Sequence, residues 1–210
     1  MTKGVHTVAE TNRRFPPPLR DSYLIPPCSQ FFAIGSLEIL NQELIGFFCS
    51  KKCPGEVILN IYDLARTLRD AKIPMIGGFH SSMEKECLDL LLRGKQPIVI
   101  CPARSIQKMR IPSAWKKGIE ENRLLILSPF EQQHRRPTVA LAENRNRFVA
   151  KLATSIFIAH ASEGGKTEQF CSELKTLKKR LYTIDCNSNT NLLKLGAESI
   201  EQFVNSCKKY

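Results

Sequence analysis

The sequence predicts an α/β fold with a mainly parallel, doubly wound sheet, and three observations predict it. Short apolar runs alternate with segments whose apolar residues recur at helical spacing. The central runs, such as LIGFFC at 44–49, are continuously apolar, as strands buried on both faces are. The segments that follow the runs, SKK, GGFHSS, PARSIQKMR, SPFEQQHRR and SEGGKT, are rich in Gly, Ser, His, Arg and Lys, so most of the unusual chemistry falls on one predicted edge. In a Rossmann-like sheet of this kind they all lie at the carboxyl ends of the strands, where ligands bind.

The elements follow in order. Residues 1–28 contain Pro16, Pro17, Pro18, Pro26 and Pro27, which bar regular helix and central strand. They read as an extended arm along the surface, ahead of one domain at 29–210. Residues 31–34 form a short strand, 37–43 a helical turn or two, and 44–49 a buried strand. After the turn SKKCPG, residues 56–71 place Val57, Ile61, Leu64, Ala65 and Leu68 on one helical stripe. A strand at 73–76, the loop GGFHSS and a helix at 83–92 come next. A strand at 98–101 leads to the basic loop with Arg104, Lys108 and Arg110. A helix around 115–121 and a strand at 124–127 precede the loop with His134, Arg135 and Arg136. A helix then carries Arg145, Asn146 and Arg147, a strand spans 155–161, and Glu163-Gly164-Gly165-Lys166-Thr167 opens a helix over 167–179. A last strand at 181–184, the stretch CNSNTN and a helical tail from Leu192 complete the chain.

The 210 residues suffice for one domain with a sizeable core. Thirty-one Lys and Arg against 20 Asp and Glu give a net charge of +11, which fits either a solvated basic surface or a polyanion partner. The eight cysteines are scattered, no C-x-x-C occurs, and the four histidines lack ligand spacing. Reduced structural thiols are expected, Cys49 and Cys53 being the only close pair. No apolar run approaches membrane-spanning length, and the polar N-terminus does not read as a secretory signal. A cytoplasmic protein is expected.

The site chemistry centres on residues 142–170. Leu141, Arg145, Phe148, Val149 and Leu152 share a helical stripe, so Arg145 lies among residues that bury themselves and needs an acidic partner or a bound anion. Arg147 and Lys151 fall on a more exposed face. The Gly164-Gly165 turn offers backbone N–H groups at a helix N-terminus, an anion site. A P-loop would need Gly where His160 stands, and the dinucleotide fingerprint G-x-G-x-x-G is absent. Gly77-Gly78-Phe79-His80-Ser81-Ser82 reads equally as a tight turn or as a second backbone cradle, with Ser82 capping the next helix. No nucleophile stands beside His80 in sequence.

These residues resemble a known family. LEILNQELIGFFCSKKCPG, IGGFHSSMEKECLDLLLRGKQPIVICPAR, ENRNRFVAKLATSIFIAHASEGGKTEQF and NTNLLKLGAESI together are similar to the Rossmann-like domain of the DprA/Smf DNA-processing proteins, over about residues 24–198. The resemblance implies single-stranded DNA binding, recombination mediation through RecA loading, and a homodimer, with no catalytic residue, metal or cofactor. Carried over by position, Ser50 and Lys51 match the family's Gly-Ser-Arg, Gly78 its Ser-Gly-x-Ala-x-Gly-Ile-Asp, and Arg145, Asn146 and Arg147 its Arg-Asn-Arg. Gly164, Gly165, Lys166 and Thr167 occupy its small-residue turn, and Phe79 or His80 is placed to stack a base.

The departures define a variant pocket. Cys49 replaces the glycine before the serine, Lys51 the arginine, Gly77 the serine before Gly78, and Glu84 the acidic residue of Gly-Ile-Asp. Lysine keeps the charge but loses the planar fork. With so little sequence after Gly196-Ala197, the family's winged-helix domain is not expected here. The alternative resemblance is to the lonely-guy (LOG) nucleotide phosphoribohydrolases, whose Gly-Gly-x-Gly-Thr-x-x-Glu turn is one residue longer. Phe170 stands at their catalytic glutamate, with Glu168 in a different helical phase. A nucleotide-sensing module is the third class.

Overall fold

In the computed structural model, which describes residues 4–20 and 28–207, the continuous apolar runs become short, buried parallel strands. The strands are β1 His6–Ala9, β2 Gln30–Gly35, β3 Ile45–Phe48, β4 Met75–Gly77, β5 Ile98–Ile100, β6 Leu124–Ser128, β7 Ser155–Ile158, β8 Arg180–Thr183 and β9 Glu198–Ser199. The helices are α1 Gly55–Asp70, α2 Ser82–Leu92, α3 Ser113–Glu120, α4 Val139–Leu152, α5 Lys166–Thr176, α6 Thr190–Lys194 and α7 Ile200–Cys207. The fold is the α/β, mostly parallel, Rossmann-like one that the alternation predicts. The chain divides into two compact units, the first built from Met1–Leu44, Pro74–Gly78 and Pro97–Ala153, the second from Ile45–Ile73, Phe79–Gln96 and Thr154–Tyr210.

In the first unit the strand order is β1-β2-β6-β5-β4. The inner strands β6, β5 and β4 are parallel, with Met75 opposite Ile98 and Ile98 opposite Leu124. Both β1 on β2 and β2 on β6 are antiparallel, an addition at the edge that the sequence pattern did not announce. The Pro-rich arm departs from a purely superficial course. Its His6–Ala9 stretch is strand, and Pro17–Leu19 forms a 3-10 turn that packs on α4. Phe15 and Leu19 are each 1% exposed. The Phe15 ring lies 5.5 Å from Phe31, which lies 6.2 Å from Phe148 of α4. Burying a Phe or Leu side chain contributes about 1.5–3 kcal/mol, enough to pull an otherwise extended segment inward. The arm's residues 21–27 lie outside the described residues.

In the second unit β3, β7, β8 and β9 are parallel in that order. Phe47 of β3 sits 5.5 Å from Phe157 of β7. Helix α1 packs on α2 and α7, while α5 packs on β8 and α6. Strand β7 ends at Ile158, earlier than the apolar run does. Beyond it the carbonyl oxygens of Ala159 and Ala161 accept side-chain N–H groups from Asn189 and Asn191. Buried backbone oxygens are thereby satisfied without a sheet partner. Among the described residues no helix is long and apolar enough to cross a membrane.

Candidate functional site

In the first unit the site is built around Arg145. Thr138 caps α4 by accepting the Leu141 N–H at 3.2 Å, which sets the helical phase that points Arg145 inward. Arg145 is only 5% exposed. Its Nη1 donates to the Cys101 carbonyl oxygen at 3.1 Å, and its Nε to Asn146 Oδ1 at 2.8 Å. Neutral oxygens thus take part of the support that the sequence assigns to an acid or an anion. Gly78 lies directly beneath the guanidinium, where an added Cβ would stand 1.4 Å from Nη1. Its backbone is not left-handed, so the room taken by the guanidinium, rather than φ > 0, is what requires glycine at 78. Asn146 and Arg147 are half-buried.

Lys151 corrects the exposed-face expectation, being only 6% exposed. The Pro17–Leu19 turn packs on α4, and Lys151 is near enough to Cys28 to act on its thiol. The two basic loops of this unit are tied together. Ser105 N–H donates to the His134 carbonyl and Ser128 Oγ to the Arg104 carbonyl, each at 2.8 Å. Arg104, Lys108, Arg110, Arg135 and Arg136 all remain exposed.

In the second unit the residues after β3 are held by a buried carboxylate. Glu84, 6% exposed, accepts the Cys49 N–H at 3.0 Å on one oxygen and the N–H groups of His80 (2.6 Å) and Ser81 (3.1 Å) on the other. Ser81, not Ser82, caps α2, and with Glu84 it completes a capping box. In the turn Gly77-Gly78-Phe79-His80-Ser81-Ser82, expected as a tight turn or a cradle, the His80 and Ser81 N–H groups are therefore taken by the chain's own carboxylate. Phe79 is 5% exposed and stacked 6.1 Å from Phe47, so it does not offer its ring to a base, whereas His80 is exposed. Ser50 donates its N–H to the His160 carbonyl at 2.9 Å, and its Oγ accepts the Ser162 N–H at 3.2 Å. Lys51 projects from this anchored position into solvent.

The glycine turn is likewise answered from within. Gly164, at φ 67°, donates its N–H to Glu168 Oε2 at 2.7 Å, and Gly165 donates to the Ser162 carbonyl at 2.9 Å. The other Glu168 oxygen accepts from Asn191 Nδ2. These two N–H groups are thus paired, correcting the expectation of an open cradle. Gly165 caps α5 without a side-chain acceptor, and the first turn of α5 carries exposed Lys166, half-buried Thr167 and the Glu168 carboxylate. Phe170 packs edge-on against Phe48 at 5.2 Å.

Sequence reasoning missed Asn189, which is fully buried. Its Nδ2 reaches the carbonyls of Ala159 (3.0 Å) and Ile184 (3.1 Å) and Thr183 Oγ1 (3.0 Å). Those acceptors fix the amide orientation, so Oδ1 must accept from His160 Nδ1–H at 2.9 Å, which sets the histidine tautomer. Among the described residues no group of His, Cys, Asp and Glu is arranged to hold a metal ion.

The geometry thus gives a buried arginine packed on a glycine backbone, two anchored loops bearing exposed lysines, and a glycine-capped helix. The profile of DNA recombination-mediator protein A matches residues 6–209. No curated protein matches the chain. The structure of DNA processing protein A (DprA) from Streptococcus pneumoniae is similar with TM-score 0.76 at 16% identity, covering 92% of this chain and 70% of that one. DNA processing protein A from Helicobacter pylori, described for its unique single-stranded DNA binding mode, gives TM-score 0.75 at 18% identity over 100% of this chain and 99% of its own. The molybdenum cofactor carrier protein of Chlamydomonas reinhardtii is a more distant likeness, at TM-score 0.53 and 11% identity over 80% of this chain and 100% of its own. With the profile spanning nearly its whole length, this chain belongs to the DNA recombination-mediator protein A family.

Proposed function

We propose that this protein binds single-stranded DNA without catalysing a reaction on it, and that it serves DNA processing, uptake or recombination by presenting the strand to a RecA-type recombinase. The observation that supports this most is family membership across residues 6–209, joined to the buried Arg145 seated on the Gly78 backbone. The Helicobacter pylori relative, described for single-stranded DNA binding, supports the choice of ligand. Lys51, Arg147 and Lys166 meet phosphates, the first turn of α5 adds its N–H groups, and His80 is the ring available to a base. Within the first unit Gly78, Arg145 and Asn146 hold the backbone that carries Arg147, and within the second Ser50, Gly164, Gly165 and Thr167 hold the turns that carry Lys51 and Lys166. A homodimer in the cytoplasm completes the proposal.

Contacts of this kind read phosphate and stacking rather than base edges, so binding tolerates sequence and weakens with salt. Fluorescence anisotropy of labelled oligo-dT across a salt series, with duplex DNA and AMP as competitors, tests it. Tight single-strand binding with a steep salt slope that AMP does not disturb is the expected result. The second reading, a nucleotide pocket, is favoured by one observation: Glu168 is fixed in place by Gly164 and Asn191 beside the glycine turn. Binding of AMP without strand binding, or release of adenine, selects it.

A further inference from the structure

His160 is a buried side chain to which the strand-binding account gives no part. It is 6% exposed and stands just beyond β7, in the segment that leads to the glycine turn. Buried polar atoms ordinarily find partners inside the protein. Here Nδ1–H donates to Asn189 Oδ1 at 2.9 Å, and among the described residues Nε2 meets no hydrogen-bond partner. That nitrogen is not sealed inside the protein either.

The ring is held from behind. Asn189 is 0% exposed, and its amide N–H groups reach the Ala159 carbonyl, the Ile184 carbonyl and Thr183 Oγ1. With the amide unable to turn, Oδ1 can only accept, so the proton stays on Nδ1 and Nε2 presents a lone pair. The backbone ties this ring to both lysine-bearing elements of its unit. The His160 carbonyl accepts the Ser50 N–H, which anchors the loop bearing Lys51. Two residues on, the Ser162 carbonyl accepts the Gly165 N–H at the start of the helix bearing Lys166.

A lone pair on a neutral nitrogen has nothing to take from a phosphodiester, which offers oxygens and no proton. An internal nucleotide of a DNA strand has no free sugar hydroxyl either. The donors such a strand can bring to Nε2 are therefore N–H groups of its bases. Thymine N3, guanine N1 and the exocyclic amines of adenine and cytosine each supply one on the Watson–Crick edge. In a duplex that edge faces the partner strand.

We propose that His160 Nε2 accepts a hydrogen bond from the Watson–Crick edge of an unpaired base, and that this contact favours single-stranded over duplex DNA. The inference rests on the proposed strand binding and adds one base contact to it. Because every base carries such an N–H, the contact asks for an unpaired base and not for a particular one.

The test uses nitrogen NMR of the full chain with isotope-labelled histidine at about pH 8, above the ordinary histidine range. Loss of one ring's signals in His160→Gln assigns it among the four histidines. The free parent should show Nε2 unprotonated. Oligo-dT should shift that nitrogen, and an abasic oligonucleotide of the same length, with the same phosphates and no bases, should not. By anisotropy, His160→Gln should lose about fivefold in affinity for oligo-dT and nothing for the abasic strand. A proton on Nε2 in the free chain overturns the proposal, and so does an Nε2 signal that stays in place while anisotropy shows the strand bound. Equal shifts from the two oligonucleotides give the contact to the sugar–phosphate chain and also overturn it. Equal losses for both strands in the variant reduce His160 to a structural part, with the same consequence. If the parent binds no oligo-dT, the strand-binding reading falls by itself. An Nε2 shift on adding AMP then reassigns the acceptor to a free nucleotide, and no shift removes it.

Discussion

The guanidinium of Arg145 occupies the space in which a side chain at residue 78 would begin. A Cβ on Gly78 would stand 1.4 Å from Nη1 and 2.0 Å from Cζ. Arginine ends are flexible, but this one is tied to the Cys101 carbonyl and to Asn146. Gly78→Ala therefore forces both hydrogen bonds to break or stretch, and the fold should lose about 1–3 kcal/mol. Urea denaturation measures the loss. A variant as stable as the parent would show that the guanidinium has room to move aside.

Arg145 and Arg147 separate structure from ligand contact. Arg145→Ala leaves the buried Cys101 carbonyl without its charged donor, and a loss of about 2–3 kcal/mol is expected. Half-buried Arg147→Ala should cost less than Arg145→Ala, about 1 kcal/mol in stability. Its effect should appear in oligo-dT binding, as weaker affinity and a salt slope smaller by about one. Paired urea and anisotropy measurements decide, and a strongly destabilised Arg147→Ala would refute the division.

Much of this was legible in the chain because period and continuity carry it. The runs IGFF and SIFI are apolar without a break, and they pair as adjacent parallel strands. Arg145 shares a stripe with Phe148 and Val149, and its burial follows from that phase. Lys151 was misread for the opposite reason: phase describes the helix alone, whereas a remote N-terminal segment packs on α4. Phe15 and Leu19 lie among prolines and show no period, so nothing local announced their burial. The Ser81 and Glu84 capping box was present as Ser-x-x-Glu, but the adjacent Ser82 offered a competing cap. Nothing in CNSNTN separates Asn189 from Asn187, because its partners come from β8 and from the segments that follow β7 and β8.

The buried thiols make the fold sensitive to alkali. Cys101 is raised from 9.0 to about 12 by burial, with Arg145 opposing part of the rise. Above pH 9.0 the unfolded thiol ionises while the folded one keeps its proton up to about 12. The folded state binds more protons in that window, so stability falls as pH rises, by about 1.4 kcal/mol per pH unit per thiol. Below it the contribution is fully present. Urea midpoints at about pH 8 and about pH 10 should fall in the parent and fall less steeply in Cys101→Ala. Equal slopes in both would remove Cys101 from the account.

Glu168 distinguishes the two readings of the glycine turn. Its carboxylate occupies the Gly164 N–H and an Asn191 amide, and it places a negative charge in the first turn of α5 beside Lys166. Removing an acid from a helix N-terminus costs about 0.3–1 kcal/mol, so Glu168→Ala should be slightly less stable than the parent. The same change releases a backbone N–H and withdraws a charge that repels phosphate. If the turn faces a nucleic-acid strand, oligo-dT affinity should therefore rise in Glu168→Ala, most clearly at low salt. If the turn instead serves a nucleotide whose ribose is held by that carboxylate, the variant should lose AMP binding without gaining any for the strand. Anisotropy with AMP competition reads both effects in one titration, and a fall in strand affinity would contradict the placement of phosphate at the first turn of α5.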